Sequence, residues 1–204
     1  ILARAGRAET RHATLAAAVA AAQSGDAIEI RGDGPFVTPS IHLRGKPLTI
    51  RAGMGSRPVL ELDVTGLAPW KGALFDSSAP LVLEGLELRC RDEKIGGPLV
   101  VVQEGELRMT HCRLVSASPA HNVALYCQGD LQYSQISRND SRGAPLSVSS
   151  RVKGPVRIKN CIISGGDALI VPDEEGSADP VIEITQTSVV GNTALVFRRR
   201  NTPQ

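Results

Sequence analysis

Three polar side chains, Arg108, Gln132 and Arg157, recur at close to one interval, 24 and 25 positions apart, and Lys159 stands two residues beyond the last. Guanidinium and ammonium groups neutralise carboxylates, and an amide bonds hydroxyls, so such a row suits an acidic sugar chain. Tyr126 adds a ring that could stack on a sugar face. A polysaccharide lyase would also need a base to take a proton beside the uronate carboxylate. His111 is the one imidazole to test in that role. His121, followed by Asn122, reads as a solvated loop; His12 lies in the lead-in and His42 in an N-terminal coil. No Ser-His-Asp set assembles among these residues.

A glycoside hydrolase would instead need two carboxylates about 5–10 Å apart across one sugar. The repeat described below aligns Glu84 with Thr110, Ser134, Lys159 and Thr185, and Glu183 with Val82, Arg108, Gln132 and Arg157. Asp76 falls over Val102. Neither column stacks two acids on adjacent coils, so a two-carboxylate site is not expected. Calcium needs clustered oxygen ligands, and Asp173, Glu174, Glu175 and Asp179 form the one dense acidic group. Nothing spaces them as ligands, so a solvated loop is expected there and no cofactor is assigned. The plainer role for His111 is a polar corner residue between strands.

Cys90, Cys112, Cys127 and Cys161 include no CxxC pair, which argues against zinc. Cys112 and Cys161 fall in one column with Ile136 between them. Two layers of about 4.8 Å put them beyond disulfide reach, so buried thiols are expected.

These side chains need a scaffold, and the repeat supplies it. Alternating segments begin at Leu81, Leu107, Leu131, Val156 and Ile182; their third residues, Leu83, Met109, Tyr133, Ile158 and Ile184, differ by 26, 24, 25 and 26. Leu86, Cys112, Ile136, Cys161 and Thr187 share those spacings. A further short strand precedes each, with Phe75, Val101, Leu125, Val148, Ile170 and Val196 as its inward column. Period-two alternation marks strands, and hairpin turns and intervening helices are missing. The fold class predicted is all-β: a right-handed parallel β-helix solenoid, coils of about 25 residues from 27 to 200, in a single domain over 1–204. Only 3% aromatic content suits thin layers of Leu, Ile, Val and Ala. A short N-terminal capping α-helix over 14–24, with Thr14 as N-cap and Gly25 as C′ residue, closes the first coil.

In the upstream strand, alternation leaves Leu74, Val100, Val102, Ala124, Tyr126, Leu169, Val171, Leu195 and Phe197 outside. Most are apolar, which predicts a local shift in strand register, cover from an insert such as 63–72, or a face that meets a partner or ligand.

Lys plus Arg is 23 and Asp plus Glu is 21, a net charge of +2 that gives no reason to expect a nucleic-acid partner. No stretch approaches the roughly 20 apolar residues of a membrane helix, so no membrane insertion is expected. Arg198, Arg199 and Arg200 read as a solvated tail. The opening Ile1-Leu2-Ala3-Arg4 has no Met, which suggests a segment of something larger.

The run from Thr14 through Gly25-Asp26-Ala27-Ile28-Glu29-Ile30, with Lys46-Pro47-Leu48-Thr49-Ile50 and Asn160-Cys161-Ile162-Ile163, resembles pectin-lyase-like β-helix proteins. The chain also resembles β-helix modules of large bacterial multidomain proteins, some with a kinase domain; no kinase motif is present in it. That resemblance implies the β-helix over nearly the whole chain, and an extracytoplasmic or cell-surface setting. The expected function is a non-catalytic module binding a glycan or packing on a neighbouring domain. A lyase or hydrolase of acidic polysaccharide, or a structural spacer, are the alternatives.

Overall fold

Three parallel sheets wind together along the chain, each strand pairing with its counterparts one coil before and one coil after. The computed structural model describes all residues except 1, 4–8, 68–71, 93–96, 118–121, 139–143, 150, 151, 153, 167, 168, 173–179, 192–195 and 199–204. Sheet A contains Ala27–Ile30, Leu48–Ala52, Leu81–Glu84, Glu106–Thr110, Gln128–Gln132, Val156–Lys159 and Ile182–Thr185. Sheet B contains Phe36–Thr38, Val59–Leu62, Glu87–Cys90, Arg113–Ser116, Gln135–Arg138, Ile162–Ser164 and Ser188–Val190. Sheet C contains Ile41–Leu43, Phe75–Ser77, Val100–Val102, Val123–Leu125, Leu146–Val148, Leu169–Pro172 and Val196–Arg198. The result is a parallel β-solenoid. An additional strand, Leu2–Ala3, pairs antiparallel with Ala27–Ile30 and covers the first edge of sheet A.

Strict stacking follows from in-register pairing. Ile28, Ile50, Leu83, Met109, Leu131, Ile158 and Ile184 form one inward column of sheet A. Leu83, Met109, Leu131 and Ile158 are fully buried, each contributing about 1.5–3 kcal/mol of transfer free energy. Leu131, not Tyr133, therefore occupies the third-coil position, correcting the sequence alignment by two residues. Sheet B stacks Leu60, Leu88, Leu114, Ile136 and Ile163 in the same manner.

Sheet C requires a larger correction. Val100 and Val102 are fully buried, while Val101 points outward over Asp76. Leu74 is buried as well. Leu74, Val100 and Val102, assigned to the outside, are thus inward, while Tyr126 is exposed as expected and Ala124, paired with the outward Val101, is nonetheless buried. Leu125 and Val148 are inward as expected. Leu195 lies outside the described residues, and Leu169, Val171 and Phe197 are described by backbone alone.

The helix spans Leu15–Ala21, shorter than 14–24, with the Thr14 side chain accepting from the Ala17 amide at 3.2 Å. Ala18 and Val19 are buried as it packs against Ala27–Ile30 and Ile41–Leu43. Gly25 is not its C′ residue: the chain leaves the helix at Ala22, which is extended. The Asp26 carboxylate accepts from the Gln23 amide at 2.7 Å and turns the chain before Gly25 is reached. Lys46 Nζ instead donates to the Val19 carbonyl near the helix end.

Between sheets A and B the chain turns through a single left-handed residue in each later coil. Gly85, His111, Tyr133, Asn160 and Gln186 have φ of 69°, 53°, 49°, 52° and 48°. Their amides continue the ladder, as where His111 N donates to the Gln132 carbonyl at 3.2 Å and Tyr133 N to the Lys159 carbonyl at 3.0 Å. The next residue points inward, forming the column Cys112, Ser134, Cys161, Thr187. Ser134 Oγ accepts from Cys112 N at 3.2 Å, and Thr187 Oγ1 accepts from Cys161 N at 3.3 Å. Ser134, not Ile136, stands between the two cysteines. Ser134→Ala strands the buried Cys112 amide and is expected to cost about 1–3 kcal/mol, measured as the shift in urea midpoint at constant slope.

All four cysteines are free and buried. The Cys112 thiol donates to the Leu83 and Thr110 carbonyls at 3.4 Å each. Burial pushes its pKa up to about 12 and that of Cys127 up to about 11. Burial also raises Cys90 and Cys161.

Candidate functional site

Pairing places the anticipated residues on two faces. Arg108, Gln132, Arg157 and Lys159 lie on the outer side of sheet A, and His111 sits at its corner with sheet B. Tyr126 lies away from them, beside sheet C, its amide donating to the Val102 carbonyl.

On sheet A the outward columns differ from those read in the sequence, because the third coil is shifted by two. One column runs Val82, Arg108, Asp130, Arg157, Glu183, and its neighbour runs Glu84, Thr110, Gln132, Lys159, Thr185. Asp130 is the residue sequence reasoning passed over. It converts a row of cations into one of alternating charge. Arg157 Nε donates to Glu183 Oε2 at 3.0 Å, and Arg108 Nη2 lies 3.5 Å from Glu106 Oε1. Gln132 Nε2 donates to both Asp130 carboxylate oxygens, at 2.9 and 3.1 Å. These groups are largely solvated, so each ion pair is worth at most about 1 kcal/mol. Together they consume the charge that an acidic polymer would need. Asp130 and Glu183 stand two coils apart, about 9.6 Å along the solenoid, with Arg157 between them.

The corner carries the more specific arrangement. His111 and Tyr133 stack with ring centroids 5.1 Å apart and planes within 6°. Both are exposed, Tyr133 at 52%. Gly85, one coil earlier, has no side chain to cover the far face of the imidazole. A left-handed backbone costs a bulky residue about 1–2 kcal/mol, which Gly and Asn largely escape. Gly85 and Asn160 occupy this column on those terms, while Tyr133 does not. Stacking returns about 0.5–1.5 kcal/mol, so the pair roughly offsets its own strain. Gly85 and Asn160 were the signal: two residue types tolerant of positive φ, bracketing Tyr133 in the repeat.

Sheet C holds a cluster that sequence spacing concealed. His42, Asp76 and Val101 stack on its outer side. His42 Nδ1 lies 3.3 Å from Asp76 Oδ2, and Gln103 Nε2 donates to Asp76 Oδ1 at 3.0 Å. The insert in the second coil, which includes Val64 and Leu67 packed on the core, lengthens that repeat and hides the His42–Asp76 alignment. Asp76 lies over Val101 and not Val102. Next to this row, Val101, Gln103, Glu104 and Tyr126 line an open groove of about 480 Å³.

Asn122 is fully buried, contrary to a solvated turn, and its Nδ2 donates to the Ser137 carbonyl at 2.7 Å. Among the described residues no three His, Cys, Asp or Glu side chains gather as metal ligands. His121, Asp173, Glu174, Glu175 and Asp179 lie outside the described residues, as do Arg199 and Arg200. No helix is long and apolar enough to cross a membrane.

No protein-family model matches this chain, and neither does any curated protein or solved structure.

Proposed function

We propose that this chain is a non-catalytic β-solenoid module that binds an extended glycan along sheet A and its corner with sheet B. The observation that carries this is the exposed His111–Tyr133 stack, held in a backbone conformation costly for Tyr. Aromatic rings present an apolar face to the C–H groups of a pyranose while water still reaches the sugar's edge. Beside the stack, Gln132 and Lys159 occupy the adjoining outward column, and Arg113 and Gln135 pair directly across sheet B. Lys159 on one side and Gln135 on the other thus flank the rings, while Gln132 and Arg113 hold Asp130 and Glu87. One coil rises about 4.8 Å, close to the length of one sugar in an extended chain, so successive coils can address successive sugars. The resemblance of the opening segment to pectin-lyase-like proteins supports a saccharide ligand.

The self-paired arginines favour neutral or mixed-charge glycans over a uronate polymer on this face. Arrayed neutral and acidic oligosaccharides are expected to show binding that weakens about tenfold or more in His111→Ala/Tyr133→Ala. Binding unchanged in that variant, or absent from the whole array, overturns the proposal and directs attention to a protein partner.

A further inference from the structure

We infer that the groove beside sheet C is a second binding site, one that takes the ammonium group of an amino sugar. It stands on the groove's own chemistry and needs the corner stack for nothing.

Among the described residues, the polar groups lining the groove are a carboxylate (Glu104), an amide (Gln103) and a phenol (Tyr126), none of them cationic. A carboxylate can only accept, so the Gln103 amide must turn its Nε2 to Asp76, as it does at 3.0 Å. That orientation leaves the Gln103 carbonyl oxygen available as an acceptor for a ligand. Asp76 is already engaged from both sides, by Gln103 and by His42. Glu104 sits in the turn after Val100–Val102, exposed, and no cation among the described residues pairs with it. The remaining wall is Tyr126, half exposed and facing the same open volume of about 480 Å³. An amide oxygen, an exposed carboxylate and an aromatic ring together match a group with several donors and a positive charge. An alkylammonium has three donors and no acceptor, and it is attracted to the face of a tyrosine ring. A uronate, with its own carboxylate, would meet Glu104 and Asp76 with repulsion.

The sheet geometry selects the source of the ammonium. Val100–Val102 and Val123–Leu125 are hydrogen-bonded on both sides within sheet C. A peptide carrying lysine therefore finds no free strand edge to pair with. An amino sugar needs no such edge: its ring lies on Tyr126, its ammonium meets Glu104, and a hydroxyl donates to Gln103.

Titration calorimetry of the whole chain with glucosamine oligomers, against their N-acetylated counterparts, tests this. The free amine is expected to bind and the acetylated form to bind at least about tenfold more weakly, since acetylation removes the charge. Glu104→Gln and Tyr126→Ala, both at exposed positions, are each expected to weaken binding about tenfold. Both titrations are made in His111→Ala/Tyr133→Ala, which removes the corner site, so that only the groove is read and its failure is separated from that of the corner. Equal affinity for both oligomers, no binding of either, or binding of a lysine-rich peptide in preference to glucosamine overturns the inference.

Discussion

Leu131→Ala is expected to destabilise the fold by about 2–5 kcal/mol, while Tyr133→Ala two residues later changes stability by only about 1 kcal/mol. Leu131 lies in the sheet A core between Met109 and Ile158 and is fully buried. Truncation leaves a cavity bounded above and below by strands whose spacing is set by hydrogen bonds, so the wall cannot collapse to fill it. Tyr133 stands outside, and its loss removes little beyond the stack with His111. Alanine at that position keeps the left-handed strain, so no relief is expected from the substitution. Urea unfolding of the two variants decides the matter. A larger loss at Tyr133 than at Leu131 would restore the alignment read from spacing alone and would put Gln132, in place of Asp130, between Arg108 and Arg157.

That pair also shows where the sequence stops being legible. Period-two alternation and a repeat near 25 residues are enough to specify parallel strands stacked in coils, and the solenoid follows from them. They do not specify where alternation breaks. In Leu131-Gln-Tyr-Ser-Gln-Ile136 an apolar residue recurs at the second step, so Tyr133 mimics an inward strand position. The left-handed corner falls on that residue and ends the alternation, placing Ser134 inward in its stead. Sheet C strands are three residues long in their central coils, as in Val100–Val102. Three consecutive valines carry no alternation at all, and only pairing with Phe75 and Ser77 reveals that the first and third are inside. The candidate site inherits these limits. Arg108, Arg157 and Lys159 fall on one face as their spacing implied, and Glu183 aligns with Arg157 as read, but Asp130 enters the column between Arg108 and Arg157 only with the true register. His42 and Asp76 meet across a lengthened coil, so no fixed interval could have joined them.

Buried thiols make the fold sensitive to alkali, and the effect is expected to be large. Desolvation disfavours the thiolate, so the folded chain holds the Cys112 and Cys127 protons to about 12 and about 11 respectively. Unfolded cysteines lose theirs near about 8.5. Below that value both states are protonated and stability is intact. Above it the unfolded chain ionises first, and each thiol removes about 1.4 kcal/mol per pH unit until its folded value is reached. At pH of about 10 these two thiols together remove about 4 kcal/mol, with Cys90 and Cys161 acting in the same direction. Serine suits the column that holds Cys112, since Ser134 and Thr187 already occupy it, and Cys127, outside that column, donates to the Gln128 carbonyl at 3.4 Å, a bond a serine hydroxyl can also make. Cys112→Ser/Cys127→Ser is therefore expected to keep most of its stability at neutral pH and to lose markedly less than the parent on going to pH of about 10. Comparing the two chains cancels the titration of lysines and tyrosines common to both. Parallel losses in parent and variant would mean that water reaches the thiols in the folded state, and that the column around Cys112 is looser than its hydrogen bonds to Leu83 and Thr110 imply.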